Sequence, residues 1–320
     1  MPGWHLLVKS GVLLPTMTDK LRAYLYLHIC VFLWGFTAIL GKLITLQALP
    51  LVWWRVVISC TTLFVLMPKA PLRALTRNQF WRLFGIGLLV GVHWLCFYGA
   101  IKLSNASVAV ATMATASFFS ALSEPLILKK KVKGYELALG IFILPGMALL
   151  VGNINWTYRL GFAVGVVGAL LAAVFTAFNK KMLDEKIPPP PLSITLVELF
   201  GAVVVCSVAL PFALMKANPL PFWPQGIDWF WIFVLSWACT LFTYYLSLLA
   251  MRHLTAFSTN LTINLEPVYG VILSILVFRE DRELSPGFYI GVAIILLAVF
   301  SHPFLKWWVE KKQADRVPAS

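Results

Sequence analysis

Charge is scarce in this sequence, acidic charge most of all. Its 320 residues hold 13 Asp and Glu against 26 Lys and Arg, and charged residues make up 12% of the chain, where a soluble domain carries about 25%. That shortage excludes an ordinary water-exposed surface. Cysteine is also sparse: Cys30, Cys60, Cys96, Cys206 and Cys239 each fall inside an apolar run, with no CxxC pair, so neither a disulfide framework nor a metal site is expected. Catalytic and cofactor signatures are missing too. There is no GxxxxGK[ST], HExxH or GxSxG, and Gly85 and Gly87 have no dinucleotide fingerprint after them, so no cofactor and no enzyme activity is expected.

What fills the chain instead is apolar: 60% hydrophobic residues and a mean hydropathy of +0.84. The chain reads as an all-α integral membrane protein. Runs near the ~20 residues that cross a bilayer core lie at 23–43, 51–67, 80–101, 108–128, 135–151, 160–178, 194–215, 229–251, 256–278 and 288–305. They predict ten transmembrane helices with short connections, the lipid bilayer as one partner, and no room for a soluble domain of ordinary size. The 211–228 connection is proline-rich and carries Trp223, which suits the membrane interface.

The net charge of +13 has a topological explanation, and no nucleic-acid partner is expected. Basic residues gather at the N-terminus, in the 2–3, 4–5 and 6–7 connections and in the C-terminal tail, for example at Lys129, Lys130, Lys131 and Lys133. The opposite side has fewer, among them Lys42, Lys102 and Arg159. Both termini are therefore predicted cytoplasmic. Asn155-Trp156-Thr157 is an outer-loop sequon that matters only in a eukaryote; the compact loops favour the inner membrane of a bacterium. The Met17 start just before the first run marks residues 1–21 as a leader, flexible or wrongly assigned.

Ten helices with both ends on one side permit two five-helix halves of opposite orientation. A weak internal match supports them. At an offset of 151, Leu103, Ser107, Leu122 and Ser123 match Leu254, Ser258, Leu273 and Ser274; earlier, Phe36, Thr37 and Ala38 match Phe175, Thr176 and Ala177. With Trp34-Gly35 in helix 1, Arg55 in helix 2, the 100–107 segment entering helix 4, and Asn264, Glu266, Pro267 and Glu280 around helix 9, the chain resembles the EamA-like branch of the drug/metabolite transporter superfamily. The resemblance covers about residues 22–305 and implies two inverted repeats, at 22–151 and 152–305, before a tail at 306–320. It also implies a cavity lined by helices 1, 3, 4, 6, 8 and 9, with helices 2 and 7 peripheral. Where family members often carry a proline in helix 4, at the place equivalent to Pro267, this chain has Ala116.

Glu266 is the leading candidate residue. It lies about ten residues, or ~15 Å, into helix 9, and a carboxylate at that depth costs about 2.5–3.5 kcal/mol unless it has a partner or a task. A continuous 3.6-residue period puts it on one face with Thr259, Thr262 and Tyr269. Pro267 removes an amide hydrogen and predicts a kink that frees a carbonyl near Ile263. His93, with an ordinary pKa near 6.5, is expected across the cavity as the polar companion of Glu266. Trp94, Tyr98, Tyr244 and Tyr245 offer aromatic faces, and Asn264 and Trp34 complete the candidate substrate-binding or coupling set. Structural or secondary parts are expected for Arg55 and Glu198, which correspond in the two halves, and for Glu124, for which a salt bridge with Lys129 or Lys130 is expected. Gly87-x-x-x-Gly91 and Gly161-x-x-x-Gly165 predict close helix contacts.

The resemblance implies a secondary transporter of a small organic metabolite, such as an amino acid or a drug-like compound. Alternating access of the two halves, export and proton coupling are expected. Two other classes stay open, a membrane-embedded enzyme acting on lipid and a non-transporting receptor or scaffold. The oligomeric state is open between monomer and homodimer.

Overall fold

The computed structural model describes residues 17–68, 70–152, 154–215, 221–263, 265–279 and 285–314. They form helices α1 (Met17–Leu43), α2 (Ala48–Leu66), α3 (Arg77–Leu103), α4 (Ala106–Leu128), α5 (Gly134–Gly152), α6 (Arg159–Leu183), α7 (Pro191–Leu214), α8 (Asp228–Met251), α9 (Ala256–Phe278) and α10 (Pro286–Ala314). No strand occurs among the described residues. Eight of these helices are long and apolar enough to cross a membrane; α5 and α10 contribute shorter apolar stretches, Gly134–Gly146 and Pro286–Ala298.

Helix starts follow local chemistry. Thr76 caps α3 by accepting the Gln79 amide at 3.2 Å while the Gln79 side chain accepts the Thr76 amide at 3.1 Å, a capping box that satisfies two donors the helix cannot. Pro191, at the first position of α7, loses nothing there, because an amide at that position has no partner within the helix.

The packing has an inverted two-fold logic. α3 packs on α6 as α8 packs on α1, α3 on α7 as α8 on α2, and α4 on α6 as α9 on α1, while α2–α7 and α5–α10 map onto themselves. Close crossings need glycine. A Cβ on Gly87 would lie 2.3 Å from the Glu198 carbonyl oxygen, and one on Gly165 2.3 Å from Thr112 Oγ1, so both GxxxG expectations coincide with tight contacts.

α4 and α9 are each broken in the middle and cross one another there. The pieces are Ala106–Met113 and Ala116–Leu128 in α4, and Ala256–Ile263 and Glu266–Phe278 in α9. From Ala106 to Ala256 the offset is 150, and details repeat at it. The Thr115 amide donates to the Thr112 carbonyl at 3.1 Å, as Leu265 does to Thr262 at 3.1 Å. Asn105 caps α4 through the Val108 amide at 2.9 Å and Thr255 caps α9 through that of Ser258 at 3.0 Å. Each helix also ends on a left-handed residue, Lys129 and Arg279. The backbone thus corrects the sequence alignment by one: Ala116 is equivalent to Glu266, not to Pro267. It also changes the account of the kink, since α4 breaks identically with no proline at the break. Pro267 sits in the first turn of the second piece of α9, a position that tolerates it but does not create the break.

At one end of the bundle, aromatics from α2, α8 and the connection before α8 cluster. The Trp54 indole donates to the Phe222 carbonyl at 2.8 Å and its ring meets Trp223 and Trp229 at 5.2 and 5.0 Å, the amphipathic belt expected at a membrane–water interface.

Candidate functional site

Six helices of the expected set, α1, α3, α4, α6, α8 and α9, together with α2, surround one central cavity of about 90 Å³. Glu266 faces it from the break in α9 and is only 5% exposed. Among the described residues its carboxyl makes no hydrogen bond or ion pair, which leaves its oxygens to the cavity. The break explains which neighbours share that face. A continuous helix would bring Thr262 and Tyr269 round beside Glu266, but the register changes between the two pieces of α9. Thr259, Asn260 and Ile263 line the cavity instead. Thr262 donates to the Ser258 carbonyl at 2.9 Å, and Tyr269 meets Phe32 edge-on at 5.7 Å. Asn264 lies outside the described residues.

Arg55 is the largest departure from expectation. The resemblance makes α2 peripheral, yet Arg55 lines the cavity at 3% exposure. Its Nε donates to Thr240 Oγ1 at 2.6 Å and its Nη1 to the Tyr98 hydroxyl at 3.0 Å, while the guanidinium lies 4.3 Å from the centre of the Trp94 ring. Arg55 and His93 thus both share the cavity with Glu266. Thr240 is aimed at Arg55 by a π-helical segment, Trp237–Phe242, whose wide turn lets Thr240 Oγ1 donate to the Leu235 carbonyl at 2.7 Å. Such segments are rare and often sit at functional sites, and nothing in the sequence marks this one.

His93 lines the cavity, with its Nδ1 2.8 Å from the Gly168 carbonyl and its ring edge-on to Phe175 at 5.3 Å. A carbonyl only accepts, so Nδ1 carries the hydrogen and Nε2 is the acceptor offered elsewhere. Trp34 also lines the cavity, its indole bonded to Thr243 Oγ1 at 2.9 Å. Trp94 and Tyr244 do too, whereas Tyr98 is fully buried behind Arg55 and Tyr245 faces a separate groove with Leu63 and Thr195.

Glu198 is fully buried on α7, behind the wall. It accepts from the Tyr244 hydroxyl and from Asn179 Nδ2 at 3.2 Å, and both of those residues line the cavity. Glu124 does not form the expected salt bridge. Its Oε2 accepts the Phe257 amide at 2.5 Å, while Lys130 lies 3.8 Å from Asp184. Glu124 thus caps the first piece of α9, where an acid complements unpaired amides and the helix dipole. One turn on, Asn260 Nδ2 donates to Ser120 Oγ at 2.6 Å. The α4 stripe Thr112, Ala116, Ser120 and Glu124 is accordingly a packing surface, and only Ala116 of the four reaches the cavity.

Comparison with known proteins gives a family, a relative and a fold likeness. The family model of the EamA-like transporter family matches twice, over residues 21–152 and 159–301. An uncharacterized transporter of Bacillus subtilis (strain 168), YetK, is 26% identical over 156 residues, which span 48% of this chain and 44% of that relative. A solved crystal structure superposes with a TM-score of 0.66 at 15% identity, covering 90% of this chain and 98% of its own, a likeness of fold. The chain belongs to the EamA-like transporter family, a membrane transporter of the drug/metabolite type.

Proposed function

We propose that the protein exports a small zwitterionic metabolite such as an amino acid, by alternating access of its two halves and in exchange for protons. The observation that carries this reading is the placement of Arg55 and Glu266 in one cavity. Among the described residues Arg55 and Glu266 make no ion pair with each other, and a zwitterion placed between them offers a carboxylate to Arg55 and an ammonium to Glu266, which leaves neither buried charge uncompensated. Size supports a small ligand: at ~10–15 Å³ per water-sized group, about 90 Å³ admits only several such groups. The aromatic surfaces of Trp34, Trp94 and Tyr244 add faces for an ammonium or an apolar side chain. Proton coupling is motivated by Glu266 and His93, two titratable groups facing the same cavity. The basic connections support cytoplasmic termini in the inner membrane of a bacterium.

A thermal-shift comparison on purified protein tests the substrate class. A ligand at 100 times its Kd stabilises the state it binds by about 2.7 kcal/mol. Amino acids should raise the melting temperature, and analogues lacking either the amino or the carboxyl group should not; equal stabilisation by such analogues overturns the zwitterion reading. Reconstituted flux that is indifferent to an imposed pH gradient overturns the coupling.

A further inference from the structure

Among the described residues, two buried oxygens beside the cavity have no hydrogen-bond partner. They are Glu198 Oε1 and Asn179 Oδ1, on residues 0% and 1% exposed. Their other edge atoms already meet: Asn179 Nδ2 donates to Glu198 Oε2 at 3.2 Å, and the Tyr244 hydroxyl donates to the same oxygen. The acid and the amide thus already share one hydrogen bond, and each keeps one oxygen that forgoes a hydrogen bond in a dry setting.

Among the described residues no cation bonds Glu198. Packed against α7, α3 presents Gly87 to its backbone, and His93 of α3 and Arg55 of α2 face the cavity with other partners. Lys180, beside Asn179 on α6, is held by the Met251 carbonyl at 2.9 Å and by Asp184 at 2.8 Å. From α8, Tyr244 bonds the carboxyl, while Tyr245 lines the separate groove with Thr195. An ionised carboxylate so placed is a buried charge without a counter-ion, the arrangement that costs most.

We propose that Glu198 and Asn179 form a proton-binding site: Glu198 carries the proton on Oε1 and donates it to Asn179 Oδ1, closing an acid–amide pair that satisfies both oxygens. On release, the O–H bond at Oε1 breaks and the proton passes to a water that enters past Asn179 and Tyr244 from the cavity, as hydronium. The carboxylate left behind keeps its bonds from Tyr244 and Asn179. Because Tyr244 and Asn179 both line the cavity, the site is within one side chain of the space where the substrate binds. A sodium ion is disfavoured because Oε2 is already engaged by two close donors. The site stands independently of transport, and its use as the coupling site rests on the proton-coupled reading above.

Infrared difference spectroscopy on the purified full-length protein tests it. At neutral pH the carbonyl band of a protonated carboxylic acid should be present, lost in Glu198→Gln and retained in Glu266→Gln. Tyr244→Phe should shift the band without removing it. The Gln amide can donate to Asn179 Oδ1 as the acid does, so Glu198→Gln should melt within a few degrees of the parent. Absence of the band, or its survival in Glu198→Gln, overturns the site. So does stabilisation by sodium over choline that Glu198→Gln abolishes. If the band behaves as expected but reconstituted flux moves no protons, the site holds and the coupling reading fails.

Discussion

At the break in α9 stands Glu266; at the same point of α4 stands Ala116, and around these two residues the halves share a backbone while differing in polar content. The breaks, the caps and the left-handed ends repeat at one offset. Between the start of α9 and the second piece of α4, contact is polar, through Glu124 on the Phe257 amide and Asn260 on Ser120. At the equivalent contact between the start of α4 and the second piece of α9, Val110 meets Gly270, and the Ser274 hydroxyl has no partner. The same holds for Arg55 and Glu198. Each is the eighth residue of its helix and each bonds a tyrosine of the next helix, Tyr98 and Tyr244. One is a permanent cation and faces the cavity; the other is an acid and lies behind it. The shared backbone provides two related crossings, and the differing side chains divide the tasks between them.

Substitutions that erase one side of this comparison should differ in size. Arg55→Leu is expected to cost most, about 3 kcal/mol in detergent stability. It removes two hydrogen bonds from a charged donor, at ~1.5–3 kcal/mol each and partly offset by the apolar replacement. Gly87→Ser comes next, at about 2 kcal/mol, from overpacking a close crossing. At the pseudo-equivalent crossing of α8 on α2, Ser236 fits and donates to the Arg55 carbonyl at 3.2 Å, so tolerance of Gly87→Ser would mean that the two crossings are interchangeable. Glu124→Ala should cost about 1 kcal/mol, the usual value of a helix cap, and Ser274→Ala no more than about 0.5 kcal/mol, because among the described residues its hydroxyl has no hydrogen-bond partner. Smallest is Pro267→Ala. If the crossing rather than the proline makes the break, thermal stability and helical content should stay within about 0.5 kcal/mol of the parent.

Much of this was legible from composition. The apolar runs gave the helices, and the inverted halves followed from their even number and the basic connections. Glu266, His93, Trp94 and Tyr244, which line the cavity, stood out as polar or aromatic groups in apolar runs, and Trp34 came with the family resemblance. What stayed hidden depends on backbone irregularity. A 3.6-residue period cannot be carried across a break, so Thr262 and Tyr269 were placed on the wrong face and Asn260 was missed. The π-helical turn that aims Thr240 at Arg55 has no sequence mark. Arg55 itself was visible, but which way α2 turns it is decided by packing against α8. The role of Glu124 also depended on packing: nearby lysines made an ion pair the natural expectation, and only the approach of α9 supplied an amide instead.

The central claim is that one acid, unmatched in the other half, meets the substrate in a shared cavity with Arg55. Its most direct test is the flux of a labelled amino acid, one that stabilises the purified protein, into proteoliposomes containing the parent or Glu266→Gln, with equal melting temperatures as the control for folding. Loss of one charged contact worth about 1.4 kcal/mol or more corresponds to at least a tenfold fall in flux, and that fall is the predicted result. Full flux in Glu266→Gln at matched stability would contradict the account.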